Sequence, residues 1–350
     1  MDSKHEFAQP DWFYFISVSL IFITMKNKKI ILAGGTGFMG QEMTKYFGKE
    51  NKIIILTRQV KGKTNRNDYN SLSVEDIKNV SYAKWDGKTA DEWAHELNDA
   101  ALVINLAGKS VNCRYNKKNK NEIFDSRTDA VKAIGEAIHK CDRPPSLWIN
   151  ASSATIYRHA MDRPQDEYTG EFHDDFSVQV CKRWEKTFYD QQTPHTRKVA
   201  LRMAITLGPG GILIPYFNLL KFGLGGKQAS GKQMYSWVRI EDTCRMIEWI
   251  YDHKEINSTY NSSSPNPVTN EEFMRIFRKV TGHIIGLPAY KWMLQIGAPL
   301  IGTEPELVLK SRWVLPTRIL ETGFQFKHPL LKEALSDIIS KVPRKQYHLL

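Results

Sequence analysis

The chain has 350 residues, of which 41% are hydrophobic, and a formal net charge of +11. This is enough apolar material to bury one large core or two unequal cores. The four cysteines lie far apart without a C-x-x-C pair, which argues against a disulfide framework and indicates reduced thiols in the cytoplasm. The ten histidines form no H-E-x-x-H motif and no local cluster, so the sequence predicts no metal site.

Part of the positive charge is concentrated in one segment, which contains Lys109, Arg114, Lys117, Lys118 and Lys120. No nucleic-acid-binding motif accompanies these residues. A solvated basic face, or attraction for phosphorylated ligands, is therefore the better interpretation than a nucleic-acid partner.

The first 24 residues differ from the rest of the chain. Residues 12–24 (WFYFISVSLIFIT) are apolar and uncharged, but they are fewer than the ~20 residues that a membrane helix needs. Acidic residues outnumber Lys4 ahead of this run and no A-x-A site follows it, which is unlike a signal peptide. One hypothesis is that Met25 is the natural start and that residues 1–24 are over-translated; the rival is a weak membrane anchor.

From residue 29 onwards, short apolar runs alternate with helical stretches. The runs predict six strands, at residues 29–33, 52–57, 80–85, 101–107, 146–152 and 198–205. The intervening patterns predict helices at residues 38–49, 119–141 and 178–190, and a polar loop or short helix within residues 60–79. Strands separated by helices indicate βαβ units, so we expect an α/β protein with a Rossmann-type doubly wound parallel sheet.

Three glycines, Gly34, Gly37 and Gly40, lie between the first strand and the first helix. A helix that begins here presents unpaired N–H groups that attract phosphate. The glycines would serve a tight turn, close approach to a pyrophosphate and close helix–strand packing. An ordinary strand–helix turn is the alternative, but this position favours dinucleotide binding. The predicted cofactor-binding turn consists of Gly34, Gly35, Thr36, Gly37, Phe38, Met39 and Gly40.

The end of the second strand indicates which dinucleotide is bound. An NAD-binding unit has Asp or Glu about 20 residues past the glycines, where it binds the ribose 2′-hydroxyl. This chain has Thr57 and Arg58 there. A guanidinium binds a 2′-phosphate that a carboxylate would repel, so we expect NADP(H) rather than NAD(H). The alternative is that Arg58 is merely an exposed loop arginine.

These motifs resemble a known family. The glycine turn, Asn105-Leu106-Ala107-Gly108 and the segment SSATIY at residues 152–157 are similar to those of extended short-chain dehydrogenase/reductases. More specifically, the chain resembles nucleoside-diphosphate-sugar epimerases with a short C-terminal domain of unknown function. The distinctive segments are DSR (125–127), WE (184–185), GPGG (208–211), FGLGG (222–226), GKQMYSWVRIED (231–242), Ala289, LP (315–316), GFQF (323–326) and EAL (333–335). The resemblance covers about residues 27 to 340.

The resemblance implies further contacts to the cofactor. Leu106, Ala107 and Gly108, at the end of the fourth strand, would line the adenosine side. On the next helix, Arg127 would anchor a phosphate and Glu122 a ribose hydroxyl, although an exposed helix pair is the commoner reason for such residues. Thr206 would approach the nicotinamide.

The chain departs from the family at the catalytic pair. Dehydrogenases of the superfamily use Tyr-x-x-x-Lys, in which the tyrosine exchanges the proton and the lysine lowers its pKa. None of the 14 tyrosines has a lysine four residues later. By position, the pair falls at Ser177 or Val178 and at Cys181 or Lys182, so the tyrosine is missing in either register.

Three residues remain as catalytic candidates: Ser153, Tyr157 and Lys182. Ser153 occupies the family's serine position, Tyr157 is the neighbouring phenol, and Lys182 is the possible surviving lysine. A hydrogen-bonded strand end explains Ser153 and Tyr157 equally well. We expect any turnover to be slow and to depend on Ser153 and Tyr157.

The C-terminal part would supply a lid and the substrate side. Residues 223–231 hold four glycines, which suit a hinge or close approach to a ligand. Gln233, Tyr235, Trp237 and Arg239 alternate as on a strand with one exposed polar face. Gln233, Trp237 and Arg239 are the predicted substrate contacts, and the alternative is a strand that clamps two lobes together.

The sequence therefore predicts three parts: an extension at residues 1–24, an NADP-binding Rossmann domain at 25–207 and a substrate lobe at 208–350, with the C-terminal family domain at about 288–340. The leading function is an NADP(H)-dependent epimerase or oxidoreductase that acts on a sugar nucleotide or a similar carbonyl or alcohol. The alternative is a catalytically weak, NADP(H)-binding regulatory protein. The expected partner is a small-molecule substrate, and neither a nucleic acid nor a membrane is expected. The apolar segment at residues 287–309 is either a packed helical segment or an oligomer surface. A homodimer is therefore an open alternative.

Overall fold

The computed structural model describes residues 25–59, 77–300, 304 and 306–348. The extension at residues 1–24 and most of the predicted loop at 60–79 lie outside the described residues. In the part of the chain that is described, no helix combines the length and the apolar character needed to cross a membrane.

A central sheet of seven parallel strands organises the fold. These strands are β1 (Lys29–Ala33), β2 (Lys52–Thr57), β3 (Val80–Lys84), β4 (Leu102–Asn105), β5 (Leu147–Ser153), β6 (Arg197–Met203) and β10 (Ser258–Ser262). Their order across the sheet is β10-β6-β5-β4-β1-β2-β3. Both faces of the sheet are covered, which explains why β1, β2 and β4 are continuous apolar runs. Four short strands lie outside it: β7 (Ile205–Leu207), β8 (Met234–Tyr235), β9 (Trp237–Arg239) and β11 (Val268–Thr269).

Helices connect the strands and build the second lobe. They are α1 (Phe38–Phe47), α2 (Lys117–His139), α3 (Phe176–Tyr189), α4 (Leu213–Lys221), α5 (Ile240–Asp252), α6 (Asn270–Thr281), α7 (Lys291–Leu300), α8 (Glu306–Leu309), α9 (Thr317–Glu321) and α10 (Leu331–Ser340). The predicted Rossmann-type α/β fold is confirmed, and the predicted strands and helices agree with the structure to within about two residues at most ends.

The strand order fixes where a ligand can bind. The chain moves outward from β1 to β3 on one side and from β4 to β10 on the other. In such sheets the ligand lies at the carboxyl edge where the order reverses, here between β1 and β4. The glycine turn follows β1 at this edge, and α3 begins at the same edge because it follows β5.

The second lobe has its own core, formed by α4, α6, α10 and the strands β8 and β9. The predicted division at residues 207 and 208 does not follow the sheet, because α5 and β10 return to the first lobe. α5 packs against α1, where the Tyr46 hydroxyl donates to Glu248 at 2.6 Å. β10 completes the sheet beside β6. The two lobes are therefore interleaved along the chain.

Candidate active site

The glycine turn packs tightly against the sheet. Gly34 has φ +77°, and a Cβ atom there would lie 2.9 Å from the backbone nitrogen of Ala107. A Cβ atom on Gly40 would lie 2.4 Å from the Cα of Gly35. A side chain at either position would collide with backbone, so these two glycines let the turn approach β4 and let α1 approach the turn.

Gly37 is different because it faces open space. It is the N-cap of α1, and a Cβ atom there would meet only the Gly34 carbonyl oxygen, at 3.7 Å. The first turn of α1 contains no acidic residue, so the partial positive charge of the helix end is not neutralised by its own side chains. A dinucleotide pyrophosphate fits this arrangement of a bare cap and free N–H groups. The Phe38 ring points elsewhere and packs against Gly208 and Gly211.

The end of β2 lies beside this turn. The register pairs Ala33 with Leu56, which brings Thr57 level with Gly34 at the same edge. The Thr57 hydroxyl accepts from the Gln59 N–H and donates to the Gln59 carbonyl, each at 3.3 Å. Arg58 is exposed, and no carboxylate among the described residues pairs with it. Arg58 is thus the available cation at this position.

The loop after β4 is held by α2. Arg127 donates to the carbonyls of Lys109 and Ile123 at 3.1 and 2.9 Å, while Glu122 binds the Lys109 ammonium at 2.7 Å. A Cβ atom on Gly108 would lie 3.2 Å from Arg127. Glu122 and Arg127 therefore position the loop that carries Leu106, Ala107 and Gly108. Their direct contact with a cofactor stays a prediction.

Arg127 keeps an unusual position for a cation. Burial lowers the pKa of its guanidinium, which lies 5.0 Å from the Trp184 ring centre. No carboxylate among the described residues forms an ion pair with it. An anionic ligand would supply the missing counter-charge, which suits the phosphate role that the resemblance implies.

Contacts of α3 bear on the register of the missing catalytic pair. Cys181 is buried, and its sulfur lies 3.4 Å from the Thr155 hydroxyl, just after the end of β5. This contact favours the register in which Cys181 stands at the family's lysine position and Ser177 at the tyrosine position one turn earlier. Burial raises the pKa of the Cys181 thiol to about 11, so the thiol is neutral at physiological pH. Lys182 is exposed and lies 5.8 Å from the Phe172 ring centre, so it is not the surviving lysine.

Tyr157 belongs to a buried network rather than to the cleft. Its ring is fully buried, and its hydroxyl donates to Asn261 at 3.0 Å and accepts from Arg202 at 2.8 Å. Arg202 in turn forms a two-point ion pair with Glu185, at 2.9 and 2.8 Å. Burial raises the pKa of the Tyr157 phenol to about 12. The prediction of Tyr157 as the proton-transfer phenol is wrong, since the hydroxyl is enclosed and its charged neighbour is Arg202 rather than Lys182.

Ser153 ends β5, and Thr206 is the middle residue of the short strand β7. Ser153 is half-buried, and its oxygen accepts from the Thr155 N–H at 3.2 Å and from the Thr155 hydroxyl at 3.1 Å. This is the hydrogen-bonded strand end that the sequence left open, although the Ser153 proton stays available as a donor. Thr206 donates to the Ala204 carbonyl at 3.1 Å. Roles for Ser153 in catalysis and for Thr206 near the nicotinamide stay predictions.

Gln233, Trp237 and Arg239, the predicted substrate contacts, are all buried. Gln233 donates to the Gln228 carbonyl at 2.8 Å, and Trp237 donates to the Asn266 carbonyl at 3.0 Å. Arg239 pairs with Asp337 of α10 at 2.9 Å. The predicted exposed polar face is wrong, because β8 and β9 lie in the core of the second lobe. The partners Gln228, Asn266 and Asp337 belong to the same lobe, so the alternative interpretation, a strand that clamps two lobes together, stays a prediction.

The comparison with known proteins agrees with this geometry. The model for the NAD-dependent epimerase/dehydratase family matches residues 30–262, which is more than half of the chain. The chain belongs to this family. A second model, for a domain of unknown function (DUF1731), matches residues 291–338. The predicted resemblance to extended short-chain dehydrogenase/reductases of the epimerase type is confirmed.

Individual relatives cover nearly the whole chain. Epimerase family protein YfhF of Bacillus subtilis is 30% identical over 89% of this chain and 98% of its own. The crystal structure of human epimerase family protein SDR39U1 (isoform 2) with NADPH has a TM-score of 0.76 at 24% identity, and covers 90% of this chain and 100% of that one. UDP-N-acetylglucosamine 4-epimerase from Methanobrevibacter ruminantium has a TM-score of 0.70 at 18% identity, over 90% of this chain and 98% of that one. The two structures share this fold.

This member of the epimerase family brings its C-terminal domain onto α3, which sequence reasoning missed. Ser177 donates to Glu306 of α8 at 2.5 Å. Lys310 donates to Glu306 at 2.5 Å and to Asp175 at 2.6 Å, and the Lys310 ammonium holds the pKa of Asp175 below its usual range. The spacing of Glu306 and Lys310, four residues apart, was the only local signal of this cluster. Nearby, the Nε of Arg312 is buried without a hydrogen-bond partner among the described residues.

One further group could be considered for a metal. Within the described residues, ligand atoms of Glu241, His328 and Asp337 lie within 4.8 Å of one another. Lys327 and His328 bind Glu241, while Arg239 and Lys341 bind Asp337. Cations of the protein already neutralise both carboxylates, so the group is an ion-pair cluster that joins α5 to α10.

Proposed function

We propose that this chain binds NADP(H) and acts as an epimerase or oxidoreductase on a sugar nucleotide or a similar carbonyl or alcohol. The observation that carries the proposal is the bare helix cap at Gly37, with Arg58 at the same sheet edge in place of an acidic residue. The relative solved with NADPH supports the choice of cofactor. The free thiols of the four cysteines agree with a cytoplasmic protein.

Each part of the cleft would hold one part of the cofactor. The N–H groups at the start of α1 would bind the pyrophosphate. Arg58 would bind the 2′-phosphate through charge-assisted hydrogen bonds, which are stronger than neutral ones. The end of β4, from Leu106 to Gly108, would line the adenosine side.

The nicotinamide supplies hydride transfer when it is bound. The residues of the chain must then orient the substrate and move one proton. Ser153 and Ser177 present hydroxyl groups at the edge of the cleft, while the neutral Cys181 thiol replaces the cation that normally lies there. Without that cation, no phenol or hydroxyl in the pair is activated in the usual way.

Cofactor binding and turnover can be tested separately. Quenching of intrinsic tryptophan fluorescence, or enhancement of NADPH fluorescence, gives the dissociation constants for NADPH and NADH. NADPH oxidation with small carbonyls, and NADP⁺ reduction with UDP-sugars, then measures turnover. Failure to bind either dinucleotide would overturn the proposal.

A second candidate is an NADP(H)-binding regulatory protein with little catalysis. The presence of Ser177 and Cys181 at the tyrosine and lysine positions favours it, because neither side chain transfers protons well at neutral pH. Tight NADPH binding without turnover of any substrate in the screen would support this candidate. Substrate-dependent turnover would exclude it.

A further inference from the structure

The C-terminal domain reaches the catalytic position of the Rossmann domain through one carboxylate. Glu306 lies 129 residues beyond Ser177 in the chain, yet the two side chains share a 2.5 Å hydrogen bond. Lys310, on the other side of Glu306, holds the same carboxylate oxygen at 2.5 Å. The side chains of Glu306 and Lys310 are 26% and 21% exposed, so the cluster is sheltered but still reached by solvent.

Other residues of this cluster supply the same kinds of group as the missing tyrosine–lysine pair, namely a hydroxyl and a positive charge. Ser177 places a hydroxyl where the family has its phenol. A serine hydroxyl is too weak an acid to exchange the proton alone, but its oxygen can accept from a ligand while its proton is donated to a carboxylate. Glu306 is that carboxylate, and Lys310 supplies a positive charge next to it, as the lysine does for the phenol.

We propose that Ser177 and Glu306 form the proton relay of this cleft, in which Ser177 contacts the substrate hydroxyl or carbonyl and Glu306 stores the proton. Lys310 is the positioning residue that holds the Glu306 carboxylate beside Ser177. The relay gives the C-terminal domain a chemical role: it completes the active site. This inference rests on the proposed oxidoreductase or epimerase function.

The relay balances for the oxidation of an alcohol. The C–H bond of the substrate carbon gives its hydride to the nicotinamide, and the substrate O–H gives its proton to Ser177 Oγ. Ser177 passes its own proton to a Glu306 carboxylate oxygen, so the products are a carbonyl compound, the reduced dinucleotide and protonated Glu306. In the reduction of a carbonyl, the same proton returns from Glu306 through Ser177 to the substrate oxygen.

Several charged groups surround Glu306 and set the conditions for this step. Lys310 and Arg312 follow it on the C-terminal segment, Asp175 faces it from the start of α3, and Tyr115 faces it from the loop before α2. Of these groups, Lys310 contacts the Glu306 carboxylate directly, at 2.5 Å.

The competing explanation is a clamp without chemistry, in which the Ser177–Glu306 and Lys310–Asp175 contacts only fix the C-terminal segment to α3. A clamp and a relay both lose stability when Glu306 is replaced. They differ in turnover: a clamp predicts similar losses when Glu306 or the other anchor of this segment, Glu304, is replaced, whereas a relay predicts the large loss for Glu306 alone.

The experiment compares the full-length protein with Glu306→Gln, Ser177→Ala, Ser177→Thr and Lys310→Met. The probes are NADP⁺ with UDP-glucose and UDP-N-acetylglucosamine, and NADPH with small ketones. We expect Glu306→Gln and Ser177→Ala to lower turnover on the order of 100-fold or more, the usual size of general acid–base catalysis, while Ser177→Thr retains most of it. The NADPH dissociation constant should stay within about twofold in all variants, because the proposal assigns these residues to the substrate and not to the cofactor.

Vibrational spectroscopy gives the second readout. Infrared spectroscopy of the cofactor-free protein should show a carboxylate band that Glu306→Gln abolishes and Ser177→Ala shifts. Lys310→Met should also shift this band, because Lys310 holds the same carboxylate oxygen as Ser177. An unshifted band in Ser177→Ala would contradict the hydrogen bond on which the relay depends.

Glu304→Gln is the matched control. Glu304 lies two residues away and accepts from the Tyr115 N–H at 2.8 Å, so it anchors the same segment without touching Ser177. Turnover by Glu306→Gln equal to that of the unmodified protein, or an equal loss in Glu304→Gln, would overturn the relay and leave the proposed function intact. Tight NADPH binding by an unmodified protein that turns over none of the probes would overturn both the relay and the catalytic function.

Discussion

The two ends of the cleft are built in different ways. At the glycine turn the site consists of backbone atoms. Side chains are excluded there, because even a Cβ atom on Gly34 or Gly40 would collide with neighbouring backbone. At the start of α3 the site consists of side chains, and the register that the Cys181–Thr155 contact favours puts Ser177 and Cys181 at the family's tyrosine and lysine positions. In that register, the first end keeps the features that dinucleotide binding requires, while the second lacks the side chains that usually move the proton.

Because of this difference, cofactor binding and proton transfer depend on different residues. The glycine end depends on one short segment and the ends of two neighbouring strands. The α3 end depends on residues far apart in the chain, which include Glu306 of the C-terminal domain and the buried network of Tyr157, Arg202 and Glu185. Substitutions should therefore affect cofactor affinity, turnover and stability in different combinations at the two ends.

The largest effect on stability should come from the buried network beneath the α3 end. Arg202→Met leaves the Glu185 carboxylate buried without its cation, which should lower the free energy of unfolding by about 3–5 kcal/mol. Urea denaturation followed by circular dichroism measures this. Arg143→Met, which removes an exposed ion pair with Asp99, is the control and should change little. A similar small change in both variants would contradict the structural role assigned to Arg202.

The next largest effect should be on the affinity for NADPH. Arg58→Ala removes the charge-assisted contact to the 2′-phosphate and should weaken NADPH binding by about 1.5–3 kcal/mol, while NADH binding stays nearly unchanged. Fluorescence titration with both dinucleotides checks this. Equal losses for NADPH and NADH would show that Arg58 acts on something other than the 2′-phosphate.

Gly40 and Gly37 should respond differently to the same methyl group. Gly40→Ala collides with the Gly35 backbone and should lower the free energy of unfolding by about 1–3 kcal/mol, with loss of NADPH binding. Gly37→Ala should leave stability nearly unchanged, because its Cβ atom would have ordinary contacts, but it should weaken NADPH binding by occupying the space of the pyrophosphate. Thermal unfolding and NADPH titration of both variants test this. Unchanged NADPH binding by Gly37→Ala would remove Gly37 from the cofactor site.

The smallest effect should come from Tyr157→Phe. Loss of the hydrogen bonds to Asn261 and Arg202 should lower the free energy of unfolding by about 1 kcal/mol. Turnover and NADPH affinity should be retained, because the enclosed phenol has its pKa raised to about 12 and does not reach the substrate. Abolished turnover in a variant that remains folded would return Tyr157 to the list of catalytic groups.

The sequence predicted what depends on local pattern. The strands and the glycine turn follow from apolar runs and from the position of Gly34 directly after β1. The register of α3 against β5 could not be predicted, because helical periodicity does not say which residue faces Thr155; two registers remained open until Cys181 was found there. Likewise, no local pattern connects Ser177 to Glu306.

The alternating polar residues of β8 and β9 led to a wrong prediction for a related reason. Gln233, Trp237 and Arg239 have the spacing of an exposed polar face, but each is buried and hydrogen-bonds to a residue of α10 or of a neighbouring loop. Their partners, such as Asp337, lie up to about a hundred residues away. A polar side chain at alternate positions therefore indicates a strand, while its burial depends on contacts that only the folded chain reveals.

The most direct test of the account is a paired titration of the unmodified protein with NADPH and NADH. If the bare cap at Gly37 and the cation at Arg58 form an NADP(H) site, NADPH should bind more tightly by a factor on the order of 10 to 100, equivalent to one charge-assisted contact. The preference should shrink as ionic strength rises, because the exposed Arg58 is screened by salt. Equal affinity for the two dinucleotides, or tighter binding of NADH, would contradict the account.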